Sequence, residues 1–81
     1  MERELFERMK AVLCEELDVR PETLTLKSLL VEDLGADSLD LVNLALQVEE
    51  RFEIEVNERD LIQLKTVGDV FDYLHARVQA S

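Results

Sequence analysis

The first stretch of the chain places apolar and charged residues at the spacing of an amphipathic helix. Apolar side chains recur three and four positions apart, at Leu5, Met9, Val12, Leu13 and Leu17. Glu7, Lys10 and Glu15 fall on other faces of the same helical wheel. Because one turn takes 3.6 residues, this spacing predicts a helix from about residue 2 to 17 with one buried face. Pro21 lies beyond its expected end.

A second helix is predicted from Ser38 to about Phe52, and it carries apolar residues on two faces. The face expected to pack into the core contains Leu41, Leu44, Ala45, Val48 and Phe52. The other face, which we call the outer stripe, consists of Leu39, Val42 and Leu46. Carboxylates flank the outer stripe at Glu49, Glu50 and Glu53. Such a helix is either buried nearly all round or exposes a docking surface, and the small size of the chain favours docking.

The remaining pattern predicts a long connection and two further helices. Residues 18–37 form a connection in which residues 24–34 hold six large apolar side chains, so we expect a loop packed over the core, with a single helical turn around Ser28–Val31. Asn57 and Asp60 suggest a cap that opens a short helix through Leu61, Ile62 and Leu64. Thr66-Val67-Gly68-Asp69 repeats the cap pattern before a final helix that runs to about residue 79.

Composition agrees with an all-α fold. The chain has 81 residues, with two glycines, one proline and only four aromatic residues. So few turn-forming residues disfavour a β-sandwich or barrel, which needs many turns. We expect one domain over residues 1–81, built as a small four-helix bundle of three longer helices and one short one.

The charge of the chain excludes several classes of partner. Nineteen acidic residues against nine basic ones leave a net charge of −10, and residues 32–60 alone hold ten acids and two bases. We therefore expect no binding to nucleic acid, which requires a basic surface, and a field that steers basic partners instead. The N-terminus is charged and no apolar run approaches ~20 residues, so we expect no secretory signal, no membrane span and a cytoplasmic monomer.

The richest local signal is the run Val-Glu-Asp-Leu-Gly-Ala-Asp-Ser-Leu-Asp at residues 31–40. Gly35 permits a backbone conformation that a Cβ would penalise. Asp37 is placed to cap the second helix, and Asp40 to return the bond as in a capping box. Ser38 is thereby presented at a helix start with its hydroxyl outward, where another protein could modify it.

This run resembles the attachment site of acyl carrier proteins, and the length, helix spacing and acidity of the whole chain resemble that family too. The resemblance implies that Ser38 carries a 4′-phosphopantetheine arm from coenzyme A, with Asp37 and Leu39 beside it. It also implies a phosphopantetheinyl transferase and acyl-transferring and chain-elongating enzymes as partners. Their docking surface would comprise Leu39, Asp40, Val42, Leu46, Glu49, Glu50 and Glu53. Two alternatives stay open: a carrier of aminoacyl units, and a helical interaction module whose Ser38 only caps a helix.

A carrier of this kind would shield its acyl chain among apolar side chains. The candidates near the entry of the chain are Leu30, Leu41, Ala45, Val56, Leu61 and Leu64. Three positions depart from the common fatty-acid type: Leu41 replaces a smaller residue, Asn43 replaces a glutamate, and Val56-Asn57 replaces Pro-Asp or Pro-Glu. These departures suggest a specialised carrier and leave the attachment run intact.

The chemistry of an enzyme is missing from the sequence. His75 is the only histidine, and Ser38 is not part of a Gly-x-Ser-x-Gly elbow. Cys14 is the only cysteine, so neither an internal disulfide nor a thiolate metal site is expected, and a buried hydrophobic role is favoured. A calcium loop starting at Asp33 would place glycine at position three and leucine at twelve, which excludes it. We predict a protein without catalytic residues or a metal site.

Overall fold

The structure, a computed structural model, describes residues 2–80 and the side chains of residues 3–78. Four α-helices lie within this range: α1 (Glu2–Leu17), α2 (Ser38–Phe52), α3 (Glu58–Leu61) and α4 (Val67–Ala80). In these residues no strand is formed beyond one isolated bridge. The predicted all-α fold, with three longer helices and one short one, is confirmed. None of the described helices is long and apolar enough to cross a membrane.

The core joins α1, α2 and α4 with the long connection. Its buried apolar side chains are Leu5, Met9, Val12, Leu13, Leu24, Leu30, Ala36, Leu44, Val48, Val67, Val70 and Leu74. Each fully buried Leu, Met or Val contributes about 1.5–3 kcal/mol relative to an exposed one. Phe6 of α1 and Phe71 of α4 add an edge-to-face contact, with ring centroids 5.6 Å apart. The face of α1 predicted from three-and-four spacing is therefore the face that is buried.

The connection between α1 and α2 is packed over the core and bonded to the start of α4. The amide of Leu30 donates to the carbonyl of Lys65 at 2.8 Å, and that of Val67 donates to the carbonyl of Ser28 at 3.0 Å. The amide of Gly68 also donates to the carbonyl of Leu26 at 2.9 Å. A Cβ at Gly68 would lie 3.0 Å from that carbonyl oxygen, so the close approach favours glycine.

The single helical turn predicted around Ser28–Val31 lies slightly later, where the amide of Asp33 donates to the carbonyl of Leu29 at 2.9 Å. Ser28 and Leu30 themselves are hydrogen-bonded to the segment before α4, and Leu29 forms an antiparallel bridge with Thr66. A 3₁₀ turn also lies earlier in the connection, at Pro21–Thr23. Proline suits the first position of such a turn because its φ is already fixed near the helical value.

The short helix α3 is shorter than predicted, and its expected cap is absent. It ends at Leu61. After it, the amides of Gln63 and Leu64 bond to the carbonyls three residues back, as in a 3₁₀ turn, which is tighter than an α-helix. Asn57 holds the capping position but its side chain makes no capping hydrogen bond. The carboxylate of Asp60 bonds to α4 instead. At α4 the predicted cap does form, since Thr66 and Asp69 exchange side-chain-to-backbone bonds of 3.0 and 3.1 Å.

Candidate functional site

Ser38 is the first residue of α2, and two aspartates fix the backbone around it. The amide of Asp40 donates to Asp37 Oδ1 at 2.8 Å, and the amide of Asp37 donates to Asp40 Oδ2 at 3.2 Å. This reciprocal pair is the predicted capping box. It satisfies backbone donors that would otherwise lack a partner at the start of the helix. The backbone orientation of Ser38 is therefore set by its two neighbouring aspartates.

The turn before Ser38 depends on one glycine. Gly35 has a φ of +73°, in the left-handed region that penalises a Cβ. A Cβ there would meet no atom within 4 Å, so the requirement is conformational rather than spatial. The amide of Ala36 then donates to the carbonyl of Leu30 at 2.9 Å, and buried Ala36 anchors the turn in the core. The turn delivers the chain to the cap at Asp37.

The two serines of the described residues have opposite environments. Ser38 is exposed, whereas Ser28 is buried at 8% exposure. The hydroxyl of Ser28 accepts a bond from the amide of Thr25 at 3.1 Å and lies 3.1 Å from the hydroxyl of the same residue. Among the residues described, no side chain is bonded to the hydroxyl of Ser38. Of these two described serines, Ser38 is thus the one that another protein could reach.

The outer stripe of α2 faces solvent. Leu39, Val42 and Leu46 are 68%, 47% and 53% exposed, whereas Leu44 and Val48 on the other face are buried. The alternative of a helix buried nearly all round is therefore wrong. Leu39 directly follows Ser38, so the exposed stripe begins beside the serine. An exposed apolar row of this kind is typical of a docking surface.

The carboxylates predicted for the docking surface differ in their surroundings. Glu50 and Glu53 are exposed, and Asp40 is half-buried in the capping box. Glu49 is half-buried, and its Oε2 accepts the amide of Val56 at 3.0 Å. Glu49 therefore holds the chain between α2 and α3, a structural contact that helical periodicity did not reveal. A role for these carboxylates in docking stays a prediction.

One apolar cavity lies between α2, α3 and α4. All six residues predicted for an acyl pocket line it: Leu30, Leu41, Ala45, Val56, Leu61 and Leu64. Sequence reasoning missed five further lining residues, Leu44, Val48, Val70, Tyr73 and Leu74. Leu41 follows Ser38 by three residues, about 4.5 Å along the helix axis, so the cavity begins one turn from the serine. The structure brings the serine and the apolar residues together, and their use as an acyl pocket stays a prediction.

A polar cluster lies beside this cavity and was not predicted. Asp60 Oδ2 accepts the hydroxyl of Tyr73 at 2.8 Å and Nη2 of Arg77 at 3.0 Å. The Arg77 guanidinium lies 4.6 Å from the centroid of the Tyr73 ring. Burial, and then the bond to Asp60, raise the pKa of Tyr73 above its ordinary value. Sequence alone gave no signal for this cluster, because Asp60 lies on α3 whereas Tyr73 and Arg77 lie on α4.

The histidine and the cysteine occupy packed positions. His75 is half-buried on α4, with its ring centroid 5.7 Å from that of Phe71. Cys14 is a half-buried free thiol on α1, and burial raises its pKa. A raised pKa leaves less thiolate at neutral pH, which fits the predicted hydrophobic role. Within the described residues no group of three or more metal-ligating side chains is found.

The sequence matches a known family over most of its length. Residues 7–74 match the family described as "Phosphopantetheine attachment site". This range includes the run at 31–40, the whole of α2 and α3, and the cavity. Ser38 is exposed, and within the described residues no side chain is bonded to its hydroxyl, which fits a covalently attached group. Members of this family carry 4′-phosphopantetheine covalently. The same prosthetic group is therefore implied for this chain.

Two sequence relatives and one solved structure that are similar to this chain are all described as acyl carrier proteins. The acyl carrier protein of Chlamydia trachomatis serovar D is 46% identical over 69 residues, which cover 85% of this chain and 90% of the relative. That of Clostridium perfringens strain SM101 is 40% identical over 70 residues, which cover 86% and 92%. A solved structure assigned as an acyl carrier protein of Mycobacterium tuberculosis superposes with a TM-score of 0.83 at 36% identity, covering 89% of this chain and 96% of that one. The chain therefore belongs to the acyl carrier proteins, which are phosphopantetheine-bearing carriers and not enzymes.

Proposed function

We propose that Ser38 is the attachment residue, and that the protein presents acyl groups to enzymes of fatty acid or related lipid or polyketide biosynthesis. One observation carries this proposal: exposed Ser38 stands at the start of α2, where the reciprocal bonds of Asp37 and Asp40 fix the backbone around it. A transferase can reach a serine on such an ordered backbone without rearrangement of the carrier.

The residues around Ser38 bind and orient rather than catalyse. When bound, the arm supplies a terminal thiol that holds an acyl group as a thioester. The Ser38 oxygen would form the new bond to the phosphorus next to pantetheine, the pyrophosphate bond of coenzyme A would break, and adenosine 3′,5′-bisphosphate would leave. The serine proton passes to a base of the transferase, since no histidine lies near Ser38 in sequence. The N-terminal end of α2 favours a negative charge at this position, which suits a phosphodiester. Asp37 and Leu39 frame the attachment point.

The cavity supports an alkyl cargo over an aminoacyl one. Its lining is aliphatic apart from the ring of Tyr73. Burying one methylene is worth about 0.8 kcal/mol, whereas burying an unpaired ammonium group is strongly unfavourable. The cavity has a volume of about 20 Å³, room for about one water molecule, so an acyl chain must widen it. The cost of widening keeps net binding weak, so an enzyme can withdraw the chain.

The surface around α2 supports docking of basic partners. The outer stripe provides an apolar contact, and Glu50 and Glu53 provide exposed negative charge beside it. Charges of this kind speed association with a basic partner, while the apolar residues prolong the complex. Because this surface must stay free for enzymes, we infer a monomer of one domain. We place it in the cytoplasm, with the biosynthetic enzymes it would serve.

Departures near the site support a specialised carrier. Asn43 is exposed on α2, where the common fatty-acid type has a glutamate, so one charge is missing from the docking helix. Leu41 and Val56 both line the cavity, so these two replacements alter the wall that a cargo would touch. The pathway would then differ from that of a housekeeping carrier in both partner and cargo.

The proposal is tested by loading the protein. After incubation with coenzyme A and a phosphopantetheinyl transferase, the intact mass should rise by one phosphopantetheine. An acyl transferase should then add an acyl group that neutral hydroxylamine removes, as expected for a thioester. An unchanged mass would favour the interaction module. Loading by an aminoacyl-activating enzyme in place of an acyl transferase would favour the aminoacyl carrier.

A further inference from the structure

The cavity is small, and α3 is its weakest wall. Helix α3 has only four residues and none is buried, and its capping residue Asn57 makes no side-chain cap bond. The walls from α2 and α4 carry buried core residues, Leu44, Val48, Val70 and Leu74. Moving α3 disturbs less packing than moving either neighbour. The wall that yields to an incoming chain is therefore the one containing Leu61, which lines the cavity.

A single carboxylate ties this wall to α4. Asp60 is the neighbour of Leu61, and its Oδ2 accepts bonds from both Tyr73 and Arg77 of α4, at 2.8 and 3.0 Å. The Tyr73 hydroxyl also lies 3.4 Å from the carbonyl of Glu55. A hydroxyl has one hydrogen to donate, and the shorter distance assigns it to Asp60.

The same tie fixes the tyrosine ring in the cavity wall. Tyr73 lines the cavity, and Arg77 lies over its ring at 4.6 Å from the centroid. Asp60 therefore holds two wall elements at once: α3 through its own backbone, and the Tyr73 ring through the hydroxyl. Charge-assisted bonds such as that from Arg77 are stronger than neutral ones.

We propose that Asp60 is a positioning residue for cargo, which sets the length of acyl chain the cavity accepts by tying α3 to Tyr73 and Arg77. This inference rests on the proposed function, since it takes the cavity as the acyl pocket. An intact tie keeps α3 closed and limits the chain to the space that local side-chain movements provide. A broken tie lets α3 and the ring move apart, so longer chains become buried.

The experiment compares protein loaded with a graded series of saturated acyl chains. The variants are Asp60→Ala and Tyr73→Phe, the latter keeping the ring in the wall while removing the hydroxyl. Asp72→Asn is the matched control, because it removes one exposed negative charge from α4 in the same region. Melting temperature is measured for each loaded form relative to the unacylated holo form. Asp60→Glu tests rescue, since it restores the carboxylate.

In the wild type the melting temperature should rise with chain length and then level off. In Asp60→Ala and Tyr73→Phe the unacylated form should melt lower, and the plateau should move to longer chains. Each additional buried methylene adds about 3–6 °C at most. Asp72→Asn should keep the wild-type plateau, and Asp60→Glu should return towards it.

Two results would overturn the inference, and they are distinguishable. An equal fall in melting temperature for all loaded forms, with the plateau unmoved, would show that the cluster only stabilises the fold. Absence of any chain-length dependence in the loaded wild type would remove the acyl-pocket role itself, and the inference with it. Failure of the proposed attachment would be seen earlier, as a missing mass increase before any acyl group is added.

Discussion

Asp37 and Asp40 each accept the other's backbone amide, at distances of 2.8 and 3.2 Å, across the first turn of α2. Ser38 lies inside this closed pair. The two carboxylates therefore have two effects: they complete the helix start, and they fix the backbone of Ser38, the proposed attachment residue. The remaining charge of both groups favours approach by a basic partner.

Replacing Asp37 should weaken the start of α2. Asp37→Ala should cost about 1 kcal/mol of unfolding free energy, because the amide of Asp40 loses its acceptor. For a chain of this size that is a fall of about 4–8 °C in melting temperature. Glu32→Ala, an exposed charge removed from the preceding turn, is the control. A melting temperature unchanged from that of the control would contradict a stabilising role for the capping box.

Local features of the site were predictable from the sequence because their partners lie within a few residues. The left-handed Gly35 and the Asp37–Asp40 cap each involve short-range geometry. The outer stripe followed from periodicity, and its exposure followed from the small size of the chain. The prosthetic group was predicted from the resemblance of residues 31–40 to a known family, because periodicity holds no information about it.

Features set by distant partners were not predictable in the same way. Ser28, Leu29 and Leu30 pair with the segment before α4, which lies far away along the chain. Asp60 was assigned to a cap, but its carboxylate is bonded to Tyr73 on another helix. In each case a tertiary contact determines the outcome, and a single sequence holds no record of it.

The exposed carboxylates at the C-terminal end of α2, Glu50 and the capping residue Glu53, should control association with the transferase. Glu50→Lys with Glu53→Lys should slow association about tenfold at low salt, since attraction becomes repulsion. Glu4→Lys with Glu7→Lys makes the same charge change on exposed residues of α1 and is the control. Stopped-flow or surface-based kinetics would measure both rates. Equal slowing by the two pairs would show that only net charge matters and that α2 is not the docking surface.

The apolar outer stripe should control the lifetime of the complex. Leu39 is 68% exposed beside Ser38, so a partner that covers it removes apolar surface from water. Leu39→Ala should speed dissociation about 5–30-fold, which corresponds to about 1–2 kcal/mol, with association little changed. The control is Leu26→Ala, which truncates a leucine of comparable exposure, 52%, in the connection between α1 and α2. Dissociation equally fast in both variants would argue against a specific contact at Leu39.

Asp69 should make the start of α4 sensitive to acid. Bonds from the amides of Lys65 and Thr66 hold the pKa of Asp69 below its ordinary value of 3.8. Folding thus favours the carboxylate, so its stabilisation is present above 3.8 and is lost as the pH falls through the lower folded value. The difference in unfolding free energy between wild type and Asp69→Ala should be constant near neutral pH. It should shrink once the pH falls below 3.8. Denaturant unfolding over a pH series measures it, and a difference that grows on acidification would contradict the assignment.

The most direct test of the account is the location of the added mass. Wild type and Ser38→Ala are incubated with coenzyme A and a phosphopantetheinyl transferase, and their intact masses and fragmented peptides are compared. Circular dichroism of Ser38→Ala should first show the helical fold of the wild type, since the Asp37–Asp40 pair does not use the serine hydroxyl. The account predicts one phosphopantetheine on the wild type, located at Ser38, and none on Ser38→Ala. A phosphopantetheine retained by the alanine variant, or mapped to another residue of the wild type, would contradict it.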